Sequence, residues 1–106
     1  MIEICYKPES FCVTVKGHAG TAPKGQDLVC AAASCLVLTL AEDVRKLEEI
    51  GAVHSCSIRL EEGDAEIRCE PVSNMRSTIR IIYESVLPGF GVLEQLHKDA
   101  VSFLIV

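Results

Sequence analysis

Basic residues are scarce: ten Lys and Arg stand against fifteen Asp and Glu, a net charge of −5. Binding nucleic acid needs a clustered Lys/Arg surface, and no basic run or basic aromatic strand supplies one. Nucleic acid is therefore not an expected partner, and a basic protein or peptide suits this surface better. Prolines number only four, while 49% of residues are hydrophobic and 24% charged, so the composition is that of a folded chain.

Long apolar runs are missing too. The longest, Leu28 to Ala41, is interrupted by Ser34 and Thr39 and falls short of the roughly 17 to 25 residues that span a bilayer. It reads as a buried helix, and no membrane association is expected. The start, MIEICYKPES, lacks the basic, apolar and small-residue regions of a signal peptide, so a cytoplasmic protein is expected. There is no nucleotide-binding glycine motif, no C-x-x-C pair and no histidine at zinc-finger spacing, so neither cofactor nor metal is expected. The six cysteines read as thiols in a chain with its own apolar core and no export signal. Cys35, Cys56 and Cys69 are expected to be packing residues. Cys5 and Cys12 are the pair nearest a disulfide.

What is present is strong periodicity. Ile2, Ile4 and Tyr6 alternate with polar or small residues, and Phe11, Val13 and Val15 repeat the alternation after KPES, which predicts a β-hairpin. Folding about the middle of that turn sets Ile4 opposite Val13, Tyr6 opposite Phe11 and Ile2 opposite Val15 on the core face, with Cys5 opposite Cys12 on the other. A helix about 36 Å long is expected from Asp27, a good N-cap, to Ile50, where Gly51 supplies a left-handed stop. Its first half is apolar all round and is expected to be the buried half. A second hairpin pairs Cys56, Ile58 and Leu60 with Cys69, Ile67 and Ala65 across EEGD. Pro71 and Ser73 open a second helix carrying Met75, Ile79, Ile82 and Val86; Pro88-Gly89 breaks or kinks it, and VSFLIV reads as a final strand. The order ββαββαβ, in one domain over residues 1–106, predicts an α+β fold: a mixed or antiparallel sheet with two main helices packed on it.

The stretch GHAGTAPKGQDLVCAAAS, from Gly17 to Ser34, holds the constellation that carries chemistry. With Asp27 as cap, Cys30 falls at the third helical position, beside unpaired N–H groups that favour a thiolate. That helix end offers an anion about 0.3 to 2 kcal/mol, which by itself leaves a thiol mostly protonated at neutral pH. An imidazole alongside changes the balance by taking the proton and remaining as a cation. His18 is the candidate, because the Ala19–Gln26 loop, with Gly20, Pro23 and Gly25, is long enough to fold back. Spacing alone leaves two readings open, a catalytic pair or an inert helix cysteine near a solvated histidine. A redox sensor with Cys35 as resolving thiol is a third, though i, i+5 on a helix is poor disulfide geometry. His54 and His97 precede no helix-end cysteine.

GHAG followed by GQDLVCAAAS resembles the signature of the ribosomal-processing cysteine proteases: Gly-His-Ala, a loop, then Gly-x-Asp-(Ile/Leu)-Val-Cys-Ala-Ala-x-Ser. Length, element order and the long helix after the cysteine are similar over essentially the whole chain. The resemblance implies an endopeptidase with Cys30 as nucleophile and His18 as base, with Asp27, Ser34 and Gly17 as supporting motif positions. It also implies a homodimer. Its substrate would be the precursor of large-subunit ribosomal protein L twenty-seven, whose N-terminal extension is removed during bacterial ribosome maturation. One position departs: Lys24, after Pro23, stands where members often carry an aromatic residue. The alternative is a non-catalytic module of the same fold that binds a basic ribosomal peptide.

In that scheme Cys30 attacks the scissile carbonyl, His18 takes and returns the proton, and water hydrolyses the thioester without metal or cofactor. The N–H groups of Val29 and Cys30 are the expected oxyanion donors. Asp27 has two readings, helix cap or carboxylate that orients His18. Ser34 either hydrogen-bonds near the sulfur or satisfies its hydroxyl on the helix backbone. The Ala19–Gln26 loop is expected to be mobile when empty.

Overall fold

A computed structural model describes residues 1–106. Alternating apolar residues build five strands, β1 (Ile2–Lys7), β2 (Cys12–Lys16), β3 (Val53–Glu61), β4 (Asp64–Pro71) and β5 (Val101–Ile105). They form one mixed sheet in the order β3-β4-β2-β1-β5, in which β1 and β5 run parallel and the other neighbours antiparallel. Three helices, α1 (Leu28–Glu49), α2 (Arg76–Val86) and α3 (Pro88–Leu96), complete the expected α+β architecture. Ile2, Ile4, Tyr6, Val13 and Ile67 point from one sheet face into a core closed by Leu40 and Val44 of α1 and Ile79 and Tyr83 of α2. No helix is long and apolar enough to cross a membrane.

The second hairpin has the expected register, with Cys56 opposite Cys69, Ile58 opposite Ile67 and Leu60 opposite Ala65. The first does not. Ile4 faces Val15, Tyr6 faces Val13, Cys5 faces Thr14 and Cys12 faces Lys7. The cause lies in the turn: Pro8–Ser10 winds into a single 3₁₀ turn and Phe11 leaves the strand for the left-handed region at φ 49°. The connection is thereby lengthened and the pairing slips by two residues, which keeps every side chain on its expected face because strand side chains repeat every second residue. Cys5 and Cys12 are consequently not partners, and all six cysteines are free.

Helix α1 also differs from expectation. Its buried residues, Val29, Ala33, Val37, Leu40, Ala41, Val44 and Leu47, form one stripe along its full length, so the N-terminal half is not the buried half. Leu28 and Leu38 are exposed, because the first turns border a cavity and open solvent on the sides away from the sheet. Pro71 closes β4, a 3₁₀ turn occupies Ser73–Met75, and α2 begins only at Arg76. Pro88 sits in the first turn of α3, where its missing N–H breaks no helical bond, so it starts a helix as well as ending one.

A left-handed phenylalanine is unfavourable locally and is held by tertiary packing. The Phe11 ring is buried, meets Tyr83 edge-on at 5.8 Å, and lies under the guanidinium groups of Arg76 and Arg80 at 5.0 and 5.4 Å. Phe11→Ala should therefore destabilise the chain by about 3–5 kcal/mol in urea unfolding. A loss below about 1 kcal/mol would show that the turn does not depend on this ring.

Candidate active site

The chain leaves β2 through two constrained residues. Gly17 has φ +96°, its N–H donates to the Gly63 carbonyl at 2.9 Å, and a Cβ there would lie 2.1 Å from the Met1 carbonyl oxygen. Only glycine fits, which gives Gly17 a backbone role. His18 follows, exposed to the cavity, with its ring against Gly63 of the β3–β4 turn. Ala19 then turns inward to the core, and its N–H donates to Cys30 Sγ at 3.4 Å. The residue after the histidine is thus tied directly to the sulfur.

Asp27 fixes the other half. Its Oδ1 accepts from the N–H groups of Val29 (3.0 Å) and Cys30 (3.1 Å) and from Thr21 Oγ1 (2.7 Å). Its Oδ2 accepts from the N–H groups of Thr21 (2.9 Å) and Ala22 (3.2 Å). One carboxylate therefore caps α1 and folds the loop over it at the same time. Hydrogen bonds to the charged form, the Thr21 hydroxyl first and the Cys30 N–H next, draw the Asp27 carboxyl down to about 2. With both oxygens engaged by the loop and the helix, the Asp27 side chain acts as cap and loop tie, and none of its hydrogen bonds runs to His18.

His18 and Cys30 line the same cavity, of about 690 Å³, without a direct hydrogen bond between them. Apolar side chains including Ile2, Val15, Val37, Leu38 and Leu60 line it, and Glu61, Glu62 and Asp64 of the β3–β4 turn add negative charge. Lys24 of the loop reaches across to Glu62 at 3.0 Å, and this ammonium, with a smaller contribution from His18, lowers the Glu62 carboxyl. The loop expected to be mobile is accordingly held at its centre by Asp27 and at its far end by Lys24. Ser34 also lines the cavity; no hydrogen bond ties its hydroxyl to the helix backbone, whereas Thr39 bonds Cys35 O at 2.7 Å. The Val29 and Cys30 N–H groups are spent on Asp27, so the expected oxyanion donors are not free here. Cys35, His54 and His97 stand outside the cavity, and no three His, Cys, Asp or Glu side chains group as metal ligands.

Thr21, Ala19, Glu62 and Gly63 are the participants that the sequence did not single out. The signal for the last two is the pairing of β2 with β4, which sets Lys16 opposite Asp64 and so brings the EEGD turn beside His18. That pairing joins segments about fifty residues apart and is invisible to local periodicity.

The depressed Asp27 carboxyl has a pH signature. A group whose folded value lies below its ordinary 3.8 stabilises the fold fully above that value, and the contribution fades as pH falls toward about 2. The thermal midpoint of Asp27→Asn should lie below wild type at neutral pH, with the gap closing between those two values. A gap that is absent at pH 7, or unchanged at pH 2, would contradict the assignment.

No curated protein sequence matches the chain. Solved structures do. The essential ribosomal processing protease Prp from S. aureus, with a covalently linked product peptide, aligns at TM-score 0.78 and 20% identity over 100% of both chains. The S. aureus protease with a substrate peptide aligns at 0.67 and 19% identity, covering 99% of this chain and 97% of that one. SMU.848 from Streptococcus mutans aligns at 0.65 and 24% identity, covering 99% of this chain and 91% of that one. At these identities the structures establish a shared fold. The sequence model described as cysteine protease Prp matches residues 1–102, nearly the whole length, and the chain belongs to that cysteine protease family.

Proposed function

We propose that this cysteine protease removes the N-terminal extension from the precursor of large-subunit ribosomal protein L twenty-seven, working in the cytoplasm as a homodimer. The observation that carries the catalytic reading is the cavity shared by Cys30 and His18, with Cys30 held at the capped start of α1. Cys30 Sγ attacks the scissile carbonyl carbon, and His18 takes the thiol proton and delivers it to the leaving amine as the C–N bond breaks. Water, deprotonated by His18, then hydrolyses the thioester and frees Cys30. Because Asp27 engages the Val29 and Cys30 N–H groups, the Ala19 N–H, aimed at Cys30 Sγ, is the better candidate to support negative charge at the reacting centre. Ser34, one turn beyond Cys30, is left with a free hydroxyl for the substrate backbone.

Substrate class follows from the lining. Apolar walls suit an extended peptide with large apolar residues, and the acidic β3–β4 turn suits a basic segment beside them. The S. aureus relatives are ribosomal processing proteases that hold substrate and product peptides, which supports the same task here. Leu28 on α1, 83% exposed and outside the peptide cavity, is apolar surface a second protomer would cover.

A peptide spanning the extension junction, incubated with the purified protein and analysed by mass spectrometry, should be cut once by wild type and not by Cys30→Ala or His18→Ala. Cleavage that persists in Cys30→Ala rejects the nucleophile. Equal cleavage of a scrambled peptide rejects the substrate.

A further inference from the structure

The geometry points to Gly63 as a positioning residue for His18, an inference that rests on His18 serving as the base. Gly63 closes the β3–β4 turn at φ +70°, a conformation that glycine adopts freely. That alone is an ordinary turn requirement. The surroundings add a second: a Cβ on Gly63 would lie 2.6 Å from His18 Nε2, 3.0 Å from Cε1 and 3.4 Å from Cδ2. The imidazole therefore rests on the bare α-carbon, and the absence of a side chain is what makes room for it.

Other glycines make the contrast. Gly51 has nearly the same φ, +75°, but a Cβ there meets nothing within 4 Å, so it is a helix stop and no more. Gly63 is fixed by its partner as well, since its carbonyl accepts the Gly17 N–H at 2.9 Å, one residue before His18. One residue of the turn thus holds both the backbone leading to the base and the ring of the base. A side chain at position 63 would push against a solvent-facing imidazole and not against backbone. The ring is the part that yields: the fold survives, while the base moves off its place in the cavity it shares with Cys30. Displacement of a reacting group by ~1 Å lowers rate by about 10²-fold.

Two substitutions separate the seat from the turn. Asn tolerates positive φ far better than Ala, so a purely conformational role predicts that Gly63→Asn keeps activity while Gly63→Ala loses stability. A seat for His18 predicts that both variants remain folded and lose about 10²-fold in kcat with KM nearly unchanged, while Gly51→Asn cleaves like wild type. In the free protein, the wild type should also give an NMR contact between the His18 Hε1 and Gly63 Hα protons, lost in Gly63→Asn. Wild-type rates in Gly63→Asn overturn the inference, as does absence of that contact in wild type. If the wild-type chain cuts no peptide, the protease reading fails instead, and the proton contact still decides whether the ring is seated on Gly63.

Discussion

Two oxygens of Asp27 collect five donors, two from the first turn of α1 and three from Thr21 and Ala22 of the loop. Removing that carboxylate would free the helix start and the loop together, so the placement of Cys30 relative to Ala19 depends on it. The same donors keep the group ionised well below the ordinary carboxyl range. There is a chemical consequence. N–H groups at a helix start are often available to an anion, but here the cap consumes those nearest the sulfur, and the donor that reaches Cys30 Sγ comes from the loop.

The imidazole of His18 is held by different physics. His18 has neither an ion pair nor a hydrogen bond to lock it, and its place is set by what is missing around it: no side chain on Gly17, where Met1 passes, and none on Gly63, where the ring rests. Hydrogen bonding thus fixes Cys30, and close backbone approach fixes the His18 imidazole. The Lys24 to Glu62 pair joins the two supports across the cavity mouth. Its side chains are 84% and 63% exposed, so salt screens it and peptide entry can part it. With Lys24 at this position, the chain closes its loop with a charge pair.

Much of this was legible in the residues. The second hairpin could be registered by eye because its turn is tight and both strands alternate cleanly, and the Asp27 cap and Gly51 stop bracket α1 as their chemistry requires. The first hairpin misled because KPES looks like a short turn, while Phe11 leaves the strand to bury its ring against Tyr83. The apolar start of α1 misled because Ala31 and Leu38 line the cavity that holds His18 and Cys30, a use of apolar residues that periodicity cannot tell from core. Gly63 read only as a turn glycine, since its second task arises from β2 lying beside β4, a tertiary fact.

Reactivity and exposure point to different cysteines, and that contrast offers the most direct test of an activated Cys30. Cys35 is the exposed thiol, Cys30 is half-buried, and Cys12 and Cys69 are buried. Limited iodoacetamide, with each site quantified by peptide mass spectrometry, should label Cys30 ahead of Cys35 in the wild type. In His18→Ala that order should reverse. Labelling of Cys35 first in the wild type, or a Cys30 rate indifferent to His18→Ala, would contradict the account.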